Sequence, residues 1–201
     1  MKPICAPGLG AIALVCLSVP VAAGTTATET ALQIRSDSKL VFPADYREWV
    51  YLSSGLDMSY TADLPMAGQH MFNNVFVPRS AYETFLKSGT WPDGTVLMLE
   101  TRGAATNQSI LKHGQIQTDE VMGLEAHVKD SRFKDGWAFY AFDADRKPAT
   151  EIPHDAACYS CHQAHAAVDT TFVQFYPTLL PIATSLHTLS PSYLAETGSQ
   201  K

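Results

Sequence analysis

The chain has 201 residues, of which 46% are hydrophobic and 10% aromatic, enough to build the core of one ordinary globular domain. Its formal net charge is −6, and its 14 Lys and Arg residues are not clustered, which excludes the basic surface expected of a nucleic-acid-binding protein. No apolar stretch after the N-terminal segment is long enough to cross a bilayer, so we expect a chain that is not membrane-spanning after signal removal.

The N-terminal residues 1–23 have the pattern of a secretory signal peptide. Lys2 supplies a positive charge, residues 9–21 form an apolar run, and Ala22 and Ala23 are the small residues that a signal peptidase needs. A buried N-terminal helix is the alternative. Signal removal would take Cys5 and Cys16 with it and leave a flexible lead-in over residues 24–39, and export would bring the domain into an oxidising compartment.

The following residues, 40–183, are predicted to form one compact domain, followed by a polar, frayed tail at 184–201. Ser80 is a plausible N-cap for a helix that would end before Gly89, and Trp91 opens a Trp-Pro-Asp-Gly turn. The predicted elements are a helical turn at 45–52, a strand at 72–77, a helix at 80–87, strands at 95–101, 121–129 and 137–143, and helical segments at 156–167 and 169–177. This order predicts an α+β fold, mostly an antiparallel sheet with flanking helices.

A C-x-x-C-H motif lies in the penultimate helical segment. Cys158 and Cys161 are three residues apart, and His162 follows directly. On the first turn of a helix, this spacing lets two cysteines form thioethers with the vinyl groups on one edge of a haem, while the histidine ligates the iron. A small disulfide or half of a zinc site are the alternatives, but no second cysteine pair is present to complete a zinc site. We therefore predict one covalent haem c on a C-terminal helix, with His162 as the metal ligand.

The position of the motif bears on the sixth ligand of the iron. No methionine follows His162, and His165 is on the same helix and so on the same side of the ring. Residues farther upstream are each more consistent with packing or surface roles, although they could reach the other side: Met58, Met66, Met71, Met98, Met122, His70, His113, His127 and His154. An open sixth position is therefore expected, which favours binding or turnover of a small ligand over simple electron transfer.

Several sequence blocks besides the motif resemble the cytochrome P-460 family and its sheet-rich relatives, the cytochromes c′-beta. The similarity extends from Phe42 to about Pro181. The matching blocks are residues 46–50, 81–89, 93–96, 123–125, 128–130, 137–140, 158–162 and 172–177.

This resemblance implies a periplasmic homodimer with a five-coordinate haem c. Cytochromes P-460 oxidise hydroxylamine at a haem that a lysine cross-links, and pass electrons to an electron-accepting cytochrome. The c′-beta relatives have no cross-link, cover the distal face with aromatic side chains, and bind nitric oxide and similar gases such as carbon monoxide. A plain electron-transfer cytochrome is the third possibility, disfavoured by the lack of a methionine after the motif.

The resemblance also suggests roles for individual residues. Lys87 is the candidate for the cross-link, although a solvated lysine at a helix end is equally consistent with the pattern. Glu100 and Glu125 are candidates for a distal acid or base, and each is also consistent with a surface carboxylate or a paired one. Arg47 is a candidate partner for a haem propionate, or else forms a surface salt bridge. Phe72 and Phe76 share one face of a strand and are candidates for a cap over the distal side of the haem. The alternative is that both simply pack in the core.

Overall fold

The structure, a computed structural model, describes residues 34–35, 38–60 and 70–198. The predicted signal peptide, most of the predicted lead-in, and Met66 lie outside the described residues. The described strands and helices are β1 (Val50–Leu56), β2 (Met71–Val77), α1 (Arg79–Ser88), β3 (Val96–Ala105), β4 (Ile116–Lys129), β5 (Trp137–Phe142), α2 (Ala157–His165), α3 (Leu180–Ser185) and α4 (Pro191–Gly198).

The five strands form one antiparallel sheet in the order β1-β2-β3-β4-β5, so each strand pairs with its neighbour in the sequence. This confirms the predicted α+β fold. The predicted helical turn at 45–52 is wrong in part, because a 3-10 turn at Tyr46–Glu48 is followed directly by β1. β1 lacks a clear alternation of apolar residues, and a bulge between Tyr51 and Ser53 interrupts its pairing with β2.

Both faces of the sheet are covered, which explains why β5 and the first four residues of β3 are continuous runs of apolar residues. The first face carries Met98, Ala126 and Tyr140, which pack under the N-terminal segment around Leu40 and Tyr46. The second face carries Leu97 and Trp137, which pack under α1 and the C-terminal helices. Side chains alternate along a strand, so successive residues point to opposite faces of the sheet. The position of a residue in this alternation therefore decides which of the two cores it joins.

Helix α1 packs on the second face through Ala81 and Phe85, which lie one turn apart and are both buried. The Phe85 ring contacts Trp91, with 4.4 Å between centroids. Gly89 ends the helix with φ +72°, and its N–H donates to the Phe85 carbonyl, as a helix-ending glycine does. The predicted N-cap at Ser80 is wrong by two residues, because the helix begins at Arg79 and Pro78 is its N-cap.

The chain after the motif is more ordered than the sequence suggests. A 3-10 turn at Val173–Phe175 replaces the longer helical segment predicted for 169–177, and the segment predicted to be a frayed tail contains α4. Ser190 Oγ donates to the Ala166 carbonyl, and His165 Nδ1 lies 3.1 Å from the Glu196 carboxylate, so α4 is held beside α2. In the described residues, no helix is both long and apolar enough to span a bilayer.

Candidate functional site

A cavity of about 240 Å³ lies on the second face of the sheet. Residues of all five strands form its floor, and the chain from His162 to Tyr176 forms its other wall. The bulge in β1 keeps Ser53 and Gly55 on this face, opposite β2 residues Asn73 and Val75. Most of the lining atoms are apolar, so the cavity suits a flat hydrophobic ligand that needs few polar contacts.

The motif residues lie on α2 at one end of this cavity. His162 lines the cavity, and its Nδ1 lies 2.7 Å from the carbonyl oxygen of Thr170. A carbonyl accepts only, so Nδ1 carries the proton and donates, which leaves the lone pair of Nε2 available to a metal. Burial lowers the pKa of His162 below its usual value, which favours the neutral ring that a metal requires.

Cys158 and Cys161 are free thiols on the same helix, and both are partly exposed. Cys161 lines a second depression of about 510 Å³, and three aromatic residues line both spaces: Tyr60, Phe172 and Phe175. In the part of the chain that the structure describes, no group of three or more His, Cys, Asp or Glu converges as a metal-ion site. The cysteine pair therefore lacks the converging set of ligands that a zinc site needs.

Aromatic rings enclose the imidazole of His162. The centroid of the His162 ring lies 4.2 Å from that of Phe172, 4.7 Å from that of Phe139 and 5.0 Å from that of His127. A neutral histidine with a free Nε2, thiols on the same helix and an apolar cavity beside them make up a donor set that fits a haem. When bound, a haem would supply an iron atom that binds small molecules or exchanges electrons.

His127 is the second histidine of the cavity lining. Its ring stacks on Phe139 with 3.9 Å between centroids, and its Nε2 lies 3.2 Å from Thr170 Oγ1. Burial, with His162 close by, holds the pKa of His127 well below its usual value, so the ring is neutral at pH 7. The packing thus fixes His127 beside His162.

Glu125 lies in the wall of the cavity, on β4 two residues before His127. Partial desolvation there raises the pKa of its carboxyl group. Burial also raises the pKa of the Cys158 thiol, and the nearby Glu125 carboxylate adds to that shift. The structure therefore brings Glu125 to the same site as the motif.

Glu100, the other candidate acid, lies on the opposite face of the sheet from the cavity. Its neighbours Leu97 and Leu99 line the cavity, whereas Met98 and Glu100 point into the first core. The Glu100 side chain is 0% exposed, and Arg47 and Arg102 donate to it. Tyr46 donates its hydroxyl hydrogen to the same carboxylate.

Three further candidates also lie away from the cavity lining. Phe72 and Phe76 alternate with the cavity residues Asn73 and Val75, so they face the first core or its edge, and Phe76 packs edge-on against Tyr46. Arg47 forms an ion pair with Glu100 on that same face, and its Nη1 lies 2.8 Å from both carboxylate oxygens. The aromatic residues that do line the cavity are Phe139 of β5, Tyr60 after β1, and Phe172, Phe175 and Tyr176 after α2.

Lys87 is exposed on the last turn of α1 and does not line the cavity. The described lining contains no lysine. Among the described methionines and histidines upstream of the motif, Met58 and His127 line the cavity, whereas Met98 is buried in the first core. A Cβ at Gly55 would overlap the Met58 side chain, so the glycine allows Met58 to lie against β1.

The residues that sequence reasoning missed are Thr170, which orients His162, and the aromatic contacts Phe139 and Phe172. Phe139 and Phe172 each lie in a sequence block that resembles the cytochrome P-460 family, which was the available signal. Nothing in the sequence marks a backbone carbonyl as a hydrogen-bond partner.

Together, the sheet, the apolar cavity and the histidine with its free Nε2 fit a haem-binding protein. The sequence model of the family described as Cytochrome P460 matches residues 43–173, which include the motif. The chain belongs to the cytochrome P460 family. No curated protein matches the sequence at a significant level.

Proposed function

We propose that the protein is a mono-haem c-type cytochrome in which Cys158 and Cys161 hold the haem covalently, His162 is the proximal ligand, and the sixth position of the iron binds a small ligand. The observation that carries this proposal is the hydrogen bond from His162 Nδ1 to Thr170, which directs the free Nε2 to the metal. Membership of the cytochrome P460 family supports it.

The class of ligand that the site favours is a small uncharged molecule such as nitric oxide or carbon monoxide. The cavity lining is mostly apolar and contains no lysine in the described residues, and Lys87 is exposed outside it. These placements favour a haem without a lysine cross-link, as in the cytochromes c′-beta. An apolar cavity also favours ligands that lose little hydration when they enter.

Oxidation of hydroxylamine, or of a related small nitrogen compound, is the second candidate function. Glu125 supports it, because its carboxyl group lies in the cavity wall with a raised pKa. A base with such a pKa can accept the protons that this oxidation releases. The electrons would then pass to an electron-accepting cytochrome. Export to the periplasm and assembly as a homodimer are part of the same proposal, through the predicted signal peptide and the resemblance.

The first experiment is to express the full chain with haem-c maturation in a periplasm and to measure its intact mass and its reduced spectrum. We expect a mass increase of one haem that disappears in the double variant Cys158→Ala/Cys161→Ala. We also expect an ordinary haem c Soret band that does not change in Lys87→Ala or in its exposed control, Lys112→Ala. Carbon monoxide added to the reduced protein should shift the band.

Other outcomes would overturn parts of the proposal. A strongly red-shifted Soret band that Lys87→Ala abolishes would establish the cross-link and favour the oxidase. An iron that is six-coordinate in both oxidation states, and that becomes five-coordinate in Met58→Ala, would favour electron transfer. Failure of the wild type to retain haem after denaturation would refute covalent attachment.

The oxidase is tested by mixing the protein with hydroxylamine and an artificial electron acceptor. If Glu125 is the base, Glu125→Gln should lower turnover at least tenfold, a typical contribution of a general base being about 10²–10⁴-fold. Glu120→Gln, on the exposed part of the same strand, is the matched control and should leave turnover unchanged. Equal turnover in both variants would exclude Glu125 as the base.

A further inference from the structure

We propose that His127 is a positioning residue for the proximal histidine and acts through Thr170. The residue Thr170 makes two contacts that point to this role. Its carbonyl oxygen accepts from His162 Nδ1 at 2.7 Å, and its hydroxyl oxygen lies 3.2 Å from His127 Nε2. The same residue therefore links His162 to His127, a buried histidine of the sheet.

The His127 ring is itself held firmly. It stacks nearly parallel on Phe139, at an interplanar angle of 9°, and its centroid lies 4.4 Å from that of Trp137. The same ring meets His162 edge-on, with 5.0 Å between centroids and an angle of 79°. Because β4 and β5 belong to the sheet, the position of the His127 ring is fixed. Its contacts with Thr170 and His162 therefore help to hold these two residues in place.

The residues on either side of Thr170 have their own attachments. Asp169, with φ +53°, accepts from Lys129 Nζ at 3.0 Å and from the backbone N–H of Trp91 at 3.3 Å. Thr171 Oγ1 accepts from Trp91 Nε1 at 2.8 Å. These contacts do not involve His127, so the loop would stay in place if His127 were substituted. The substitution of His127 would loosen mainly Thr170.

The chemical consequence follows from the hydrogen bond to His162. A carbonyl that accepts from Nδ1–H makes the imidazole more electron-rich, which strengthens its bond to iron and favours the ferric state. If Thr170 moves away, that bond weakens. His127 thus tunes the iron without touching it. This inference rests on the proposed function, because it takes His162 as the proximal ligand.

The test uses the haem-loaded full chain and two independent variants. His127→Phe keeps a ring for stacking but removes Nε2, and Thr170→Val removes the hydroxyl but keeps the backbone carbonyl. We expect each to raise the reduction potential and to lower the iron–histidine stretching frequency of the ferrous protein. The shifts should be equal in size, and the double variant should show no further shift, since both substitutions break one contact.

Two controls separate positioning from general destabilisation. Thr170→Ser restores the hydroxyl and should return both signals to wild-type values, and His113→Phe, in the exposed β3–β4 loop, should leave them unchanged. Unshifted signals in Thr170→Val would overturn the inference even if His127→Phe fails to fold. Additive shifts in the double variant would also overturn it. If instead His162→Ala leaves the wild-type iron spectrum unaltered, the proposed function itself fails.

Discussion

The buried Glu100 carboxylate gives the sharpest quantitative prediction. Burial alone would raise its pKa, but hydrogen bonds from Arg102, Tyr46 and Arg47 outweigh burial and lower the pKa from 4.5 to about 2. A depression of this size corresponds to about 3 kcal/mol of stability, an upper value because the Arg47 side chain is 55% exposed and its contribution is screened by solvent.

The pH range of this effect follows from the sign of the shift. Because the pKa of Glu100 is lower in the folded than in the unfolded protein, the stabilisation is fully present above about pH 4.5 and is lost as the pH falls towards 2. We therefore expect Glu100→Gln to lower the free energy of unfolding by up to about 3 kcal/mol at pH 7, and by much less near pH 2.

The assay is urea unfolding of the wild type and Glu100→Gln at several pH values between 7 and 2. Other carboxylates titrate in both proteins, so the difference between the two curves isolates Glu100. Asp145→Asn, which breaks an exposed pair with Lys147, is the control and should show no comparable pH-dependent difference. A constant difference across the pH range would refute the reasoning. A changed haem spectrum in folded Glu100→Gln would contradict its placement away from the cavity.

Three further predictions concern the site and the second core. Glu125→Gln should gain stability relative to the wild type as the pH rises from 4 to 7, because the raised pKa of Glu125 makes its ionised form costly in the folded state; urea midpoints that move the other way would contradict this. Phe85→Ala should cost about 3–5 kcal/mol in urea unfolding, against little for the exposed Leu86→Ala, and equal costs would contradict the packing of α1. Gly89→Ala should lower the melting temperature, because φ is +72° and the added Cβ would lie 2.7 Å from Thr188 Oγ1; an unchanged value would exclude that strain.

The sequence by itself determined the class of fold and the motif on which the proposed haem attachment rests. Strand-like runs around Phe76, Leu97 and Trp137, with turn signals between them, were enough to predict an antiparallel sheet, because each run is rich in apolar and aromatic residues. The C-x-x-C-H spacing named Cys158 and His162 without any structural information, since its chemistry depends only on residues adjacent in the chain.

Only the tertiary structure decided which side chains share the site. Glu100 and Glu125 looked equivalent in the sequence, but Glu100 points into the first core while Glu125 lines the cavity. A one-residue difference in strand position reverses the face, and the two faces cannot be told apart when both are buried. For the same reason the sequence does not show that Phe72 and Phe76 face away from the cavity, whereas Phe139 lines it.

The surroundings of His162 depend on contacts between segments that are distant in the sequence. Thr170 orients His162 through a backbone carbonyl, and His127 reaches Thr170 from a strand more than forty residues earlier in the chain. Residue type carries no signal for a carbonyl contact, and sequence spacing carries none for a contact made between distant segments. The sequence therefore pointed to His162 as the residue of the proposed haem site, whereas the packing of the sheet against the C-terminal segment determined how its side chain is held.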